Sequence, residues 1–545
     1  MLDAKQIKDK FSTASNRKIN FEILYRLTQE YTIPDKENFI HHTEGAKKDD
    51  TTNKIFDSTP LRALDKFVSN MHASMVPPGK KWANLAVGTD VPDADKDRVG
   101  RQLEEIREKL FSRLSNSNFD TQISECFYDL ALGSAAILVQ EGKSIHKPFN
   151  FVSIPIEQVY WDEGVNGVID TIFRKHKIKG RNVEATWEGI ILPDLLAEKI
   201  KRQPNEDFEF IECTYPAVID VVKHSVVKNG LGQENLQALK EHVNGFKYSV
   251  ICPDGEDILY TKDLRSNPWI TFRWSVVAGE IWGRGPAVRA LADIRSLNKT
   301  KELILKNANV AISGIFTFVD DGITDPRFFK MTPGSFNPVG SNGGNTMGPS
   351  IAPLQTGTKF DVGQMIIKDL QASINDMLFS EPLGPIDSPV KTATELSLRQ
   401  QEMSKRIGSA FGRLQHELLI PLINRLIFIL NEWGIINLDK DLKVDGGILK
   451  IEYISPLALA QEREELNSIV EYVQTIASLY GPEVAMAMAP VDKVAQKIAE
   501  LLNVPKSILP TSEEVTAMKQ TAAQQAQVAQ QSQQNALKQG KEVDF

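Results

Sequence analysis

From Ala393 to Gly434 the chain reads ATELSLRQQEMSKRIGSAFGRLQHELLIPLINRLIFILNEWG, with apolar residues at Leu396, Met403, Ile407, Phe411, Leu414, Leu418, Leu422, Leu426 and Leu430. Nearly every step is three or four residues, so a single stripe runs along a helix of about forty residues. Globular helices are typically about a third of that length. A helix this long fits a strut spanning a large assembly, with Thr394 as N-cap just before Glu395. Pro421 interrupts it: proline has no N–H for the carbonyl of Glu417, so a kink is expected there. Just upstream, Glu381 to Lys391 (EPLGPIDSPVK) carries three prolines and a glycine and reads as a stiff, exposed loop.

At 545 residues the chain exceeds what one hydrophobic core supports, and two to four domains or sub-domains are expected. Hydrophobic content of 41% and charged content of 25% are ordinary for a soluble globular protein. A net charge of −8 argues against a protein that coats DNA, while leaving room for local basic contacts. Cys126, Cys213 and Cys252 are far apart, match no metal spacing, and point to a reducing compartment without disulfides. No run reaches eighteen apolar residues, so no transmembrane helix is expected. The N-terminus is charged from its third residue and reads as that of a protein made in a cytoplasm, without a secretory signal.

The expected fold class is α+β, mainly helical. Residues from about 5 to 140 read as helices, among them Phe56–Met75, with Ser58 or Thr59 as cap and Pro60 at the first helical position. Arg98–Asn116 and Phe119–Gly133 follow, the latter leading into a strand, AAILVQEG. Between about 148 and 275 the pattern turns to β, with strands at Phe151–Ile154, Gln158–Trp161, Val168–Ile178, Phe208–Tyr215, Phe246–Cys252, Ile258–Tyr260 and Trp269–Trp274. A helical insertion is expected at Val183–Lys201. Pro286–Ile312 and Lys359–Ser380 are two helices flanking a segment, 314–358, rich in Gly, Pro, Asn and Ser. A strand at Ile448–Ile454 and helices at Ala458–Tyr480 and Val491–Leu502 precede a Gln/Ala-rich tail expected to be mostly disordered.

Catalytic motifs are missing. No GxxxxGK(S/T), GxSxG, HExxH, CxxC or DxDxDG occurs, and no cofactor or metal is implied. His41-His42 lies in a polar segment and reads as exposed. Gly283-Arg284-Gly285 lacks the third glycine and acidic partner of a dinucleotide fingerprint and reads as a turn into a helix with Pro286 at N1. Asp320, Asp321 and Asp325 are close enough to share a cation but sit among turn residues. One electrostatic feature survives: Arg295, Lys299 and Lys306 fall within about 40° on one helix face, with Glu302 interrupting them and Ile294 and Leu297 opposite. The stripe is either a solvated face with an intrahelical Lys299–Glu302 pair, or a contact for a neighbouring subunit or a polyanion.

Four segments carry a resemblance: Phe56–Leu85 (FDSTPLRALDKFVSNMHASMVPPGKKWANL), Asn267–Asn298 (NPWITFRWSVVAGEIWGRGPAVRALADIRSLN), Thr392–Glu402 (TATELSLRQQE) and Phe411–Leu430 (FGRLQHELLIPLINRLIFIL). In this order they resemble the portal proteins, or head-to-tail connectors, of short-tailed T7-like bacteriophages. The resemblance implies a homo-oligomeric ring, in such portals a dodecamer, around a channel for double-stranded DNA at one capsid vertex. It further implies a wing over 1–283, stem helices at 284–313 and 359–380, and a clip at 314–358. A tunnel loop at 381–391 and a long kinked tunnel helix within 392–456 would follow, then a crown at 457–510 and a flexible tail at 511–545.

Partners implied are the terminase motor, tail adaptor and nozzle proteins, and major capsid and scaffolding proteins. The particle would be assembled in the host cytoplasm, with no membrane. Candidate channel or subunit contacts are Pro385, Asp387 and Lys391 in the loop, and Arg295, Lys299 and Lys306 on the stem. Lys391 reads equally as a solvated lysine at a helix start. An acidic protein with few basic contacts suits a channel, because each phosphate contact adds affinity and would resist translocation. The alternative is another oligomeric virion scaffold or adaptor without a DNA channel.

Overall fold

The computed structural model describes residues 2–34, 54–87, 96–164, 167–228, 234–253, 255, 257–313, 316–318, 351–353, 360–380, 408, 410–436, 449–453, 456–480, 494–495 and 497–499. The loop 381–391 with Pro385, Asp387 and Lys391, the first part of the long helix, His41-His42, Asp320, Asp321, Asp325 and the tail lie outside them.

Helix α1 (Ala4–Thr32) starts from a capping box in which Asp3 and Gln6 satisfy each other's end of the first turn. Helices α2 (Thr59–Met75), α3 (Lys96–Ser115) and α4 (Phe119–Leu132) follow, with strand β1 (Ala83–Val87) between α2 and α3. Strands β2 (Ser134–Ser144) and β3 (Lys147–Ile154) form a three-stranded sheet with β9 (Trp269–Arg273). Strands β4 (Val159–Glu163), β5 (Ile169–Lys179), β6 (Asp207–Lys228), β7 (Glu234–Ile251) and β8 (Ile258–Leu264) make an antiparallel sheet in that order. Two short helices, α5 (Gly180–Thr186) and α6 (Asp194–Arg202), form the expected insertion between β5 and β6.

The C-terminal half begins with α7 (Pro286–Arg289) and α8 (Leu291–Ser313). A strand pair, β10 (Phe316–Phe318) with β11 (Ile351–Pro353), precedes α9 (Phe360–Met377). Then come a π-helical turn (Gln415–Leu419), α10 (Ile420–Glu432), β12 (Leu449–Tyr453) and α11 (Pro456–Tyr480).

The main core lies where α2, α3 and α4 meet the β2–β3–β9 sheet and α10. Phe67, Leu103, Phe127, Leu130, Ile137, Leu422 and Leu426 are all buried within one cluster. Each such side chain contributes about 1.5–3 kcal/mol by leaving water, which makes α10 part of the same folding unit as the N-terminal helices. Strand β12 closes the unit by pairing antiparallel with β1, Ala83 opposite Tyr453.

Several sequence expectations need correction. Strand β1 lies in a region read as helical, because its partner β12 is far away in sequence. The helix read as Pro286–Ile312 breaks at Ala290 into α7 and α8. Strands read as Phe208–Tyr215 and Phe246–Cys252 continue into a much longer ribbon, β6–β7.

The turn at Gly283-Arg284-Gly285 is built as expected, with Pro286 at the start of α7. Its glycines are required by close approach: a Cβ on Gly283 would overlap the Gly133 carbonyl, and one on Gly285 the Ala131 carbonyl. The Gly285 N–H donates to the Leu132 carbonyl at 2.9 Å, so the end of α4 and the start of α7 are held backbone to backbone.

Candidate functional site: paired helices and the clamped kink

Helices α8 and α9 pack antiparallel as a pair, Gly363 of α9 sitting so close to Ile304 of α8 that a Cβ would come within 2.8 Å of its Cδ1. The pair is bolted to α2 by one carboxylate. Asp57 accepts from the Thr59 N–H at 2.8 Å, from Lys301 Nζ of α8 at 3.0 Å and from Gln371 Nε2 of α9 at 3.0 Å. The cap of α2 is therefore the Asp57 carboxylate and not the Ser58 or Thr59 side chain; Ser58 holds the N-cap position without a side-chain bond. Burial opposes charge on Asp57, but Thr59 and Lys301 outweigh it and hold the carboxyl below its usual range.

Away from that bolt the pair presents an apolar surface. Leu303 and Leu305 of α8, and Val362, Met365 and Ile366 of α9, are all exposed, Met365 to 67%. Leu303 and Leu305 lie on opposite flanks of α8, while Val362, Met365 and Ile366 share one face of α9, and large apolar side chains left exposed in this way mark surfaces that a partner covers.

On the solvent side of α8 the basic stripe divides. Glu302 receives Lys299 at 3.0 Å and Lys306 at 2.6 Å, the intrahelical arrangement that the spacing allowed. These two lysines hold the Glu302 carboxyl below its usual range. Arg295 makes no ion pair among the described residues; it lines a cleft of about 760 Å³ with Tyr31, Lys54, Phe56 and Lys299.

The kink expected at Pro421 takes a specific form. The turn before it is π-helical, with the Ile420 N–H bonded to the Gln415 carbonyl. That turn is clamped to the edge of β9. Arg273 donates from Nη2 to Glu417 Oε1 at 2.8 Å and from Nε to Oε2 at 3.2 Å, and its backbone N–H reaches the same carboxylate at 2.9 Å. Nη1 is taken by the Ile281 carbonyl at 3.0 Å, and Arg413 adds a further bond to Glu417 at 3.1 Å. Next to Arg273, Trp274 packs against the rings of Phe67 and Phe379, so the clamp, α2 and the end of α9 meet at one point. Sequence reasoning missed Arg273 and Glu417; their one visible signal was that Glu417 sits four residues before the proline.

Two buried charges were also invisible in the sequence. Lys18 of α1 donates to the carbonyls of Ile156, Glu157 and Val159 at 2.6, 3.0 and 2.9 Å and lies over the Tyr160 and Trp282 rings. Burial pushes its ammonium down to about 7, with Glu22 the main opposing charge.

In the five-stranded sheet Glu212 lies 3.4 Å from His176 and shares a hydrogen bond with Tyr248, whose hydroxyl accepts from Trp187 Nε1 at 2.8 Å. Burial lifts the Glu212 carboxyl to about 7 and drops the His176 imidazolium to about 3. Glu212 therefore stabilises the fold fully below its unfolded pKa and loses that contribution as pH rises through about 7. His176, neutral when folded, costs stability as pH falls below its unfolded value, and the two slopes oppose each other between. Glu212→Gln is expected to raise stability at pH 8 by about 2–3 kcal/mol and to change nothing below pH ~4.5, as read from urea midpoints. Equal midpoints at pH 8 would mean that burial does not raise the Glu212 carboxyl in the fold.

Among the described residues no group of three His, Cys, Asp or Glu could hold a metal ion, and no helix is long and apolar enough to cross a membrane. The family model described as "Bacteriophage head to tail connecting protein" matches residues 4–509. The chain belongs to that family of connectors. It is 22% identical to the portal protein of Salmonella phage epsilon15, over 97% of this chain and 92% of that protein. It is 22% identical to the probable portal protein of Bordetella phage BPP-1, over 88% and 84% of the two chains. With the portal protein of Enterobacteria phage T3 it shares 22% identity over 77% of this chain and 73% of the other. The connector's function is accordingly to join head to tail, as the portal of a phage particle. Of the candidate contacts named from sequence, the described residues include Arg295, Lys299 and Lys306, all on α8.

Proposed function

We propose that this connector closes into a ring, a dodecamer as in the portals it resembles, around a channel through which DNA is packaged and ejected. The observation that carries this is the exposed apolar face of α9 (Val362, Met365 and Ile366) beside the exposed Leu303 and Leu305 of α8, which rotationally repeated copies would cover. In this reading 1–283 form the wing, α8 and α9 the stem and 314–358 the clip, which docks first the terminase motor and then the tail adaptor and nozzle. Residues 381–391 are the tunnel loop, 392–456 contain the tunnel helix, and 457–510 form a crown toward the capsid interior. Major capsid and scaffolding proteins surround the wing, and the ring assembles in the host cytoplasm before it occupies its capsid vertex.

The protein acts as a structural channel, and the work of packaging comes from a separate ATPase. Arg295, which makes no ion pair among the described residues, is the residue of the basic stripe that meets a polyanion or a neighbouring subunit, whereas Lys299 and Lys306 serve Glu302. Pro385, Asp387 and Lys391 remain the loop contacts. Deleting Pro385–Ser388 is expected to leave rings intact while DNA packaging or retention falls, measured as filled particles in a complementation assay. Rings that fail to form would make the loop structural.

A further inference from the structure

Strands β6 and β7 pair without interruption from Ile211 opposite Ile251 out to Lys228 opposite Glu234. Their neighbours stop early. Strand β5 leaves β6 at Thr214, and β8 leaves β7 at Phe246. From Ala217 opposite Gly245 outward the ribbon is two strands wide, with no third strand among the described residues. Eleven steps at about 3.3 Å carry it roughly 36 Å past the sheet. A two-stranded ribbon alone in water is marginally stable, and both its edges offer unpaired N–H and C=O groups.

The root of the ribbon is fixed in direction. Ile219 is buried, and a Cβ on Gly245 would come within 2.6 Å of its Cδ1 and 2.7 Å of the Leu264 carbonyl. The ribbon therefore continues the sheet outward.

At the other end of the same sheet sits the α5–α6 insertion. It is tied there by Gly180 N–H to the Glu206 carbonyl and by Ile191 N–H to the Leu259 carbonyl, both within 3.0 Å. Leu196 and Ile200 pack onto the sheet, yet Ile191 and Leu195 are exposed to 76% and 80%, more than any other large apolar residue described. Among the described residues, one end of the sheet thus carries a projecting ribbon with no third strand and the opposite end an exposed apolar knob. Closed rings are made from heterologous contacts, in which one surface of each copy meets a different surface of the next. Surfaces at opposite ends of one sheet meet that requirement.

We infer that the β6–β7 ribbon beyond Ala217 and Gly245 is a locking arm that reaches the neighbouring subunit and lies against the Ile191–Leu195 end of its sheet. The inference rests on the ring reading above. The arm gains the support that a two-stranded ribbon lacks, and the knob loses its exposure to water. The contact lies on the wing, apart from the apolar face of α8 and α9, and so adds a second seam to each interface.

Two experiments on the full chain test it. In a Cys252→Ser background, Ser225→Cys combined with Leu195→Cys is treated with a bismaleimide linker after ring mass has been measured. A ladder of covalent oligomers, absent from either single-cysteine control, is expected. Rings without a ladder overturn the arm contact and leave the ring standing; absence of rings overturns both. In the second, residues 219–243 are replaced by Asn-Gly, so that Val218 and Asn244 still face each other at the root. The variant is expected to keep its near-ultraviolet signature while the subunit concentration at which rings dissociate rises at least tenfold. Unchanged dissociation would assign the arm to a partner outside the ring, such as a shell protein or DNA, and reject the proposal.

Discussion

Arg273→Ala is expected to lower the stability of the fold by about 3–5 kcal/mol, the usual consequence of removing one partner from a buried, fully engaged ion pair. Its guanidinium is spent on Glu417 and on the Ile281 carbonyl, and its side chain is only 9% exposed. Removing it strands a carboxylate inside the protein with Arg413 as its remaining cation. Glu417→Ala should cost a similar amount, and the two changes together should cost far less than their sum, because neither charge is then left alone. Arg273→Lys is expected to fail as a rescue, since an ammonium cannot reproduce the two-pronged contact. Urea unfolding followed through tryptophan emission would check this, Trp274 lying next to the clamp. A loss below ~1 kcal/mol would show that the π-turn is held by packing alone, as if the pair were on the surface.

Val362→Glu together with Met365→Glu is expected to keep the purified chain monomeric and folded. Both side chains are more than half exposed in the single subunit, so glutamates there cost the monomer little. In a closed ring the same carboxylates would recur at every interface, each buried without a partner at a cost of several kcal/mol. Rings of normal mass formed by this variant would remove the α8–α9 face from the interface.

The parts of the fold legible in the sequence are those written in local pattern. The apolar stripe ending in Leu430, the disturbance at Pro421 and the helix start at Pro286 follow from spacing and from proline's missing N–H. What escaped depends on partners remote in the chain. Asp57 caps α2 because Lys301 and Gln371 arrive from more than 240 residues away, and nothing in FDSTP distinguishes that carboxylate from the adjacent hydroxyls. Lys18 looks like an ordinary lysine in a helix of mixed polarity until three carbonyls near residue 157 close around it. The β6–β7 ribbon was missed because Val221-Val222 and Val226-Val227 break the alternation by which a half-buried strand is recognised.

In the proposed assembly the connector subunits form a ring with a hole through it. Light scattering of the purified full-length chain, with class averages from negative-stain electron microscopy of the same sample, measures it directly. A mass many times the 60.9 kDa of one subunit, in closed rings with an open centre, is the predicted result. A monomer or dimer that persists across salt and protein concentration would contradict it.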